Sequence, residues 1–157
     1  ATEATFAYTT AAPQAAAFNQ SPQLWLGLED HVLGYAEAQA HRISVFTAPV
    51  LGDEDPPYRG IRVPLRYWKV AAWADAEGTL VSAGFLLDQS ELIDDTGLAS
   101  VITPLPPFGT FQVPVADISA LAGVDLGPLV AADVLRVDAA RAPRWLRLHD
   151  LDDVVLG

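Results

Sequence analysis

The sequence predicts an α+β fold in which one amphipathic helix is followed mostly by β-strands. An apolar stripe at three- and four-residue spacing follows a helix-start signal near Ser21. Downstream, short runs rich in β-branched and aromatic residues alternate with breaks that contain Pro, Gly and Asp. The 157 residues are 51% apolar, without an internal repeat or a clear boundary. We therefore expect a single domain over residues 1–157 with a sizeable core.

The helix is expected to begin at Ser21 and Pro22, which suit the N-cap and the first helical position. It is expected to end near His41. The apolar residues that recur on one face are Trp25, Leu28, Val32, Tyr35 and Ala36. This spacing indicates a face that is buried against another layer of the fold.

The region after the helix predicts a strand, a loop and a hairpin. Residues 42–51 are rich in β-branched and aromatic side chains and predict a strand, whereas residues 52–59 form an acidic, Pro-broken loop. Residues 67–74 and 79–87 predict two strands of a hairpin. The short polar turn between them is Asp75-Ala76-Glu77-Gly78.

The last third of the chain predicts shorter elements. Residues 88–110 are expected to form a loop, and a short helix over 117–122 is expected to stop at Gly123 in a left-handed cap. The predicted strands lie at residues 111–115, 134–137 and 145–148.

The charge of the chain opposes nucleic acid as a partner, but the basic residues are clustered. The net charge is −11, and such a field repels polyanions. Eight of the nine basic residues form two strips, one with Arg59, Arg62, Arg66 and Lys69, the other with Arg136, Arg141, Arg144 and Arg147. Such strips can bind phosphates locally. Alternatively, they only offset the acidic loops nearby.

Several classes of function are excluded by composition. The absence of Cys excludes disulfides, thiolate metal sites and cysteine nucleophiles. The apolar runs are too short to span a membrane, so no membrane partner is expected. No Gly-rich phosphate loop and no nucleophile-elbow Ser is present. The chain starts at Ala1 and contains no Met, which indicates a processed or trimmed product with sequence upstream.

Glu29 is the residue whose position points to chemistry. It follows Leu28 and lies four residues after Trp25, close to the apolar stripe. A carboxylate there is costly to bury unless it is paired, hydrogen-bonded or bound to a cation. Asn19 precedes the helix, and an amide oxygen together with a carboxylate suits a hard divalent ion. The alternative is that Glu29 borders the stripe and reaches solvent.

Residues 8–30 (YTTAAPQAAAFNQSPQLWLGLED) carry a family resemblance. Their Pro13-Gln14 and Asn19-Gln20 steps, followed by Trp25, Leu28 and Glu29, resemble the signature of DNA/RNA non-specific endonucleases of the ββα-metal class. Four segments that resemble the same family follow in order, at residues 45–50, 61–70, 83–87 and 113–126. The resemblance covers about residues 6–130 and leaves residues 131–157 as a C-terminal extension.

The resemblance implies a ββα-metal nuclease-like fold with the metal-site helix packed on an antiparallel sheet and the first strands of the motif missing. It implies that Asn19 is the metal ligand and that Glu29 is the catalytic partner that holds water molecules of the ion. Mg²⁺, or another divalent cation such as Mn²⁺ or Ca²⁺, would stabilise the phosphate transition state. The partner would be DNA or RNA, and a secreted or extracellular location is favoured. The expected substrate-binding residues are Thr10, Gln14, Arg62 and Arg66.

The sequence departs from the family pattern in three ways. The family's general base is a histidine in an upstream Asp-Arg-Gly-His motif, which none of the three histidines here matches. Thr10 and Ala12 stand where the family has an amide and a hydroxyl residue. Asn19 and Glu29 are ten residues apart instead of the usual eight, which turns Asn19 by roughly 200° on a continuous helix. An irregular turn before Pro22 would change that geometry.

Two main functions remain open. The chain is either the C-terminal portion of a metal-dependent endonuclease, completed by an N-terminal segment or a second chain, or a catalytically inactive nuclease-like binding or interaction module. A third hypothesis is that the chain is a structural fragment without activity of its own. Because the first strands would be missing, the Trp25/Leu28/Val32 face and one sheet edge are expected to lack cover. The isolated chain is then expected to aggregate or to pair with a complementary segment.

Overall fold

The computed structural model describes residues 25, 27–38, 42–90, 109–135 and 145–157. Its helices are α1 (Gly27–Ala38), α2 (Val115–Ala122) and α3 (Pro128–Ala131), with a 3-10 helix at Leu151–Asp153. Its strands are β1 (Ile43–Val50), β2 (Pro57–Tyr58), β3 (Ile61–Arg62), β4 (Arg66–Ala74), β5 (Leu80–Asp88), β6 (Gly109–Val113) and β7 (Leu146–Leu148).

Five of the strands form one antiparallel sheet in the order β1-β4-β5-β6-β7. The two central strands, β4 and β5, pair along nine residues, from Arg66 opposite Asp88 to Ala74 opposite Leu80. Strands β2 and β3 pair separately as a small hairpin. The predicted α+β class and the antiparallel sheet are confirmed.

Helices cover both faces of the sheet. Side chains alternate along a strand, so the odd and even residues of β4 enter different cores. The core on the α1 side contains Tyr67 and Trp73 of β4 together with Leu28 and Val32 of α1. The core on the other side contains Trp68 and Val70 of β4 with Val115 and Ile118 of α2. Because β4 and β5 lie between two helical layers, they are buried along almost their whole length.

The buried face of the predicted helix is confirmed, but two expectations about this region are wrong. Trp25 forms a turn and the helix begins at Gly27, so it does not run continuously from Pro22. The Trp25/Leu28/Val32 face is not uncovered: these side chains are 5%, 1% and 2% exposed, because β4 and β5 pack over them. Ser21, Pro22 and His41 lie outside the described residues.

Most of the later elements are also confirmed. The β4–β5 hairpin turns at Asp75, whose carboxylate accepts hydrogen bonds from the backbone N–H groups of Glu77 and Thr79. Helix α2 ends at Gly123, which has φ 64°. The predicted loop over 52–59 contains β2, which the sequence did not predict.

The predicted strand over residues 134–137 is wrong at its described positions. Val134 and Leu135 form a turn, because the Asp133 carboxylate accepts the Leu135 N–H at 3.0 Å and bends the chain there. Next to these two residues, Asp133 forms an isolated bridge with Ser82.

Strand β1 ends the sheet that the described strands form. On it, Val45 is 40% exposed and Phe46 is 47% exposed. Whether the edge of β1 lacks cover stays a prediction. None of the helices in the described ranges is long and apolar enough to cross a membrane.

Candidate functional site

Glu29 lies in the first turn of α1, where a negative charge interacts favourably with the helix dipole. Its side chain is 46% exposed, and its Oε1 accepts a hydrogen bond from Lys69 Nζ at 2.5 Å. Both interpretations of Glu29 therefore hold in part. The carboxylate reaches solvent, and it also has a cationic partner.

Lys69 is the buried half of this ion pair. It lies in the middle of β4, between Thr47 of β1 and Phe85 of β5, and its side chain is only 8% exposed. Its Nζ also lies 4.4 Å from the centroid of the Trp25 ring, close enough for a cation–π interaction. A buried ammonium is costly unless such partners compensate for the water it loses. Glu29 and Trp25 provide that compensation.

The ion pair borders a small apolar pocket between α1 and the sheet. The pocket is lined by Leu28, Val32, Val45, Ala71 and Phe85, together with the two charged residues. Apolar walls lower the local dielectric and strengthen the attraction between the two charges. Among the described residues, none hydrogen-bonds the second carboxylate oxygen, Oε2. The site is thus a carboxylate held at one oxygen at the mouth of an apolar pocket.

The described residues contain no group of three or more His, Cys, Asp or Glu side chains that could hold a metal ion. Mg²⁺ often binds through one or two protein ligands and keeps several waters, so a sparse site needs no such group. A carboxylate with one oxygen left for water fits an outer role beside such an ion. Asn19, the predicted ligand, and Thr10 and Gln14, predicted to bind substrate, lie outside the described residues.

Arg62, predicted to bind substrate, holds the acidic loop before it. Its Nη1 donates to the carbonyl oxygens of Asp53 at 2.8 Å and Asp55 at 3.0 Å. The buried Asp55 carboxylate accepts hydrogen bonds from the N–H groups of Gly52 and Leu65 at 3.0 and 3.1 Å. Arg62 therefore has a structural function in this loop, and its side chain remains exposed.

Arg66 does not lie with Glu29. Its Nε is 3.4 Å from Asp88 Oδ2, and as an even-numbered residue of β4 it points to the α2 side of the sheet. Lys69 points to the α1 side, so the basic strip predicted over residues 59–69 is divided between two faces. Of the second strip, only Arg147 is described, and its guanidinium lies 5.9 Å from the centroid of the Phe111 ring.

The two described histidines are His31 on α1 and His149 after β7. His31 follows Glu29 by two residues on α1, which rotates it by roughly 200°. His149 follows β7, and its backbone N–H donates to Asp153 Oδ2 at 2.8 Å.

The sequence reasoning did not select Lys69 as a site residue. A signal was present, because Lys69 is the one lysine among the 157 residues and lies in a run of apolar residues that reads as a buried strand. A lysine in such a strand needs a negative or aromatic partner nearby. The missing information was the packing of α1 on β4, which brings Glu29 to it from 40 positions away.

Two comparisons relate this chain to other proteins. A family model described as DNA/RNA non-specific endonuclease matches residues 1–133. An alignment of 148 positions, which covers 91% of this chain, is 34% identical to the uncharacterized protein y4fB of Sinorhizobium fredii. It spans only about a fifth (21%) of the length of that relative. No solved structure matches the chain significantly. The family match includes α1, the Glu29–Lys69 pair and strands β1 to β6.

Proposed function

Because the chain belongs to the DNA/RNA non-specific endonuclease family, we propose that it is the C-terminal portion of an enzyme that hydrolyses phosphodiester bonds of DNA or RNA with a divalent metal ion. The observation that carries this proposal is the Glu29–Lys69 pair. The Glu29 carboxylate is held at Oε1 by Lys69, its side chain is 46% exposed, and it lies on the first turn of the helix that follows Asn19.

In this proposal Asn19 would ligate Mg²⁺, or Mn²⁺ or Ca²⁺, and Glu29 would orient water beside the ion. When bound, the ion supplies Lewis-acid stabilisation of the charge that develops on the phosphate and the leaving oxygen. Glu29 accepts hydrogen bonds from water at Oε2, while Lys69 keeps Oε1 occupied. The apolar residues of the pocket exclude other water from the buried side of the pair.

The histidine general base is proposed to come from a segment outside this sequence, because the 157 residues contain no Asp-Arg-Gly-His motif. This segment would supply the first strands of the ββα-metal unit, from the same polypeptide or a second chain. Strand β1 supports such pairing, since it ends the described sheet and exposes Val45 and Phe46. Residues 1–157 would then fold as one domain, with β7 of the extension added to the same sheet.

The proposed contacts to the nucleic acid are Thr10, Gln14, Arg62 and Arg66. Arg62 is the better placed of the two arginines for phosphate contact, because it is exposed and only its Nη1 binds the loop carbonyls. Arg66 is 40% exposed but faces the other side of the sheet. With a net charge of −11, phosphate binding has to depend on such local contacts rather than on the overall field.

The test is cleavage of plasmid DNA and of RNA with Mg²⁺, with the histidine-bearing segment present. We expect Glu29→Gln to lower the rate by about 10- to 100-fold, as losses of outer-shell partners of metal sites do. Glu37→Gln is the matched control, since it removes the same charge from an exposed position of the same helix. Equal rates for Glu29→Gln and the wild type would contradict the role of Glu29. Binding of nucleic acid without any cleavage by the wild type would instead support the inactive binding module.

A further inference from the structure

The two members of the Glu29–Lys69 pair differ sharply in how firmly the fold holds them. Lys69 is 8% exposed in a central strand, whereas Glu29 is 46% exposed at the start of a helix. We infer that Lys69 is a positioning residue for the reaction, which binds Oε1 of Glu29 and thereby fixes Oε2 as the oxygen that meets water. This inference rests on the proposed function and adds to it a second residue of the site.

The fold sets the position of the ammonium group before Glu29 contributes anything. The backbone of Lys69 pairs with Thr47 on one side and Phe85 on the other. Its side chain lines the apolar pocket, and its Nζ lies 4.4 Å from the Trp25 ring centroid. Glu29 has three rotatable side-chain bonds and is half exposed, so without a partner its carboxylate would sample many positions. The ordering effect therefore passes from Lys69 to Glu29.

The packing around position 69 does not require a charged side chain. The neighbours are Leu28, Val32, Ala71 and Phe85, which an unbranched apolar side chain would pack against equally well. An apolar side chain at this position would avoid the cost of burying an ammonium group, and the half-exposed Glu29 would remain accessible to water. The sequence also uses Arg at its eight other basic positions and Lys at this one alone. A compact ammonium fits this narrow space, whereas a planar guanidinium is larger and more rigid.

Lys69 is also badly placed to contact a substrate directly. Its side chain is almost inaccessible, and its Nζ already donates to Glu29 at 2.5 Å. Any effect of Lys69 on the reaction should therefore pass through the Glu29 carboxylate. This prediction separates a positioning residue from a phosphate-binding lysine, whose effect would not depend on Glu29.

A double-mutant cycle tests this dependence, with Lys69→Met, Glu29→Gln and the double variant compared with the wild type in the Mg²⁺ cleavage assay. We expect Lys69→Met to lower kcat by about tenfold with little change in KM. In the Glu29→Gln background the same substitution should have no further effect, because the group that Lys69 positions has already been disabled. The Tm of Lys69→Met should stay within about 3 °C of the wild type, since the side-chain volume is kept and the Glu29 carboxylate left behind is 46% exposed and can be hydrated.

The outcomes distinguish this inference from the proposed function. If Glu29→Gln lowers kcat and Lys69→Met does not, the positioning role is wrong while the proposed function stands. If Lys69→Met lowers kcat by the same factor in both backgrounds, Lys69 acts on the substrate and the positioning role is wrong. If neither substitution changes kcat, both proposals are wrong.

A measurement without metal or substrate covers the case in which Lys69→Met does not fold. In ¹⁵N-lysine-labelled wild-type protein, a hydrogen-bonded and buried ammonium exchanges slowly with water and gives a resolved signal. Lys69 is the one lysine of the 157 residues, so the side-chain ammonium signal of this chain belongs to it. We expect Glu29→Gln, a substitution at a half-exposed position, to broaden or abolish this signal. An unchanged signal in Glu29→Gln would show that the pair does not hold the carboxylate, and would overturn the inference.

Discussion

Asp133 caps helix α2 from a position 18 residues after the start of that helix: its Oδ2 accepts the backbone N–H of Val115 at 2.7 Å. Its Oδ1 accepts the N–H of Leu135 at 3.0 Å, and the residue is only 4% exposed. Pro114, which precedes the helix, provides no side-chain cap. One carboxylate therefore satisfies two backbone donors and joins the start of α2 to the turn after α3.

Removal of the Asp133 carboxylate should destabilise the fold, and the loss should be larger for Asp133→Ala than for Asp133→Asn. Asp133→Ala leaves both donors unsatisfied, and we expect the free energy of unfolding to fall by about 2–3 kcal/mol. Asp133→Asn keeps one oxygen acceptor, so its free energy of unfolding should lie between those of Asp133→Ala and the wild type. Urea unfolding curves measure both values. If Asp133→Asn and Asp133→Ala were equally stable, the assignment of one donor to each carboxylate oxygen would be contradicted.

The same residue gives a pH dependence of defined sign. Burial raises the pKa of Asp133 above its ordinary value, against the opposing effect of the two N–H donors, and the nearby Asp117 raises it further. The native state then binds this proton more tightly than the unfolded chain does. Its contribution to stability is complete below about pH 4 and is lost as the pH rises through the native-state pKa. The stability advantage of wild type over Asp133→Asn should thus shrink as the pH rises from 4. An advantage that grows with pH would contradict this.

Gly84 should not tolerate a side chain. A Cβ at this position in β5 would lie 2.7 Å from the carbonyl oxygen of Val113 and 2.8 Å from Ile118 Cδ1. We expect Gly84→Ala to cost about 1–3 kcal/mol, because the backbone oxygen cannot move without disturbing β6. Gly34→Ala on α1 is the control: its Cβ meets nothing within 4 Å, and it should stabilise the helix by up to about 1 kcal/mol. Changes of the same sign in both variants would contradict this interpretation of the packing.

Gln112 should control how firmly the C-terminal segment is held. Its buried carboxamide donates from Nε2 to the carbonyl oxygen of Val155 at 2.7 Å and accepts the N–H of Val155 at 2.9 Å. Gln112→Leu removes both bonds, so we expect faster amide hydrogen exchange over residues 154–157 and a loss of about 1–2 kcal/mol. Thr110→Val, two residues earlier, is the control. The Thr110 hydroxyl is buried without a hydrogen-bond partner among the described residues, so this variant should be neutral or more stable.

Local patterns predicted most of the individual elements. The hairpin at Asp75, the left-handed cap at Gly123 and the buried face of α1 follow from residue types that lie close together in sequence. The failure at Val134 has a different origin. Its backbone is set by the Asp133 carboxylate and by β5, some 50 positions earlier, and β-propensity alone cannot show such a long-range contact.

The candidate site was predictable only in part, for the same reason. The helical spacing placed Glu29 beside the apolar stripe and left two interpretations open, a carboxylate with a partner or cation and a carboxylate that reaches solvent. The partner is Lys69. It became identifiable only from the structure, in which the odd-numbered residues of β4 face α1. That assignment depends on strand pairing, and it also separated Arg66 from Lys69, which the sequence had grouped in one strip.

Strand β6 ends opposite Gly84, and beyond that point residues from much later in the chain take its place. The N–H of Ser82 donates to Ala132 at 2.9 Å, and its carbonyl oxygen accepts from Val134 at 2.8 Å. One side of β5 is therefore completed by two stretches of chain that α2 and α3 separate. A chain truncated after α2 would lose both hydrogen bonds to Ser82, so we expect truncation there to destabilise the β4–β5 hairpin although the cut lies some 40 residues away from it.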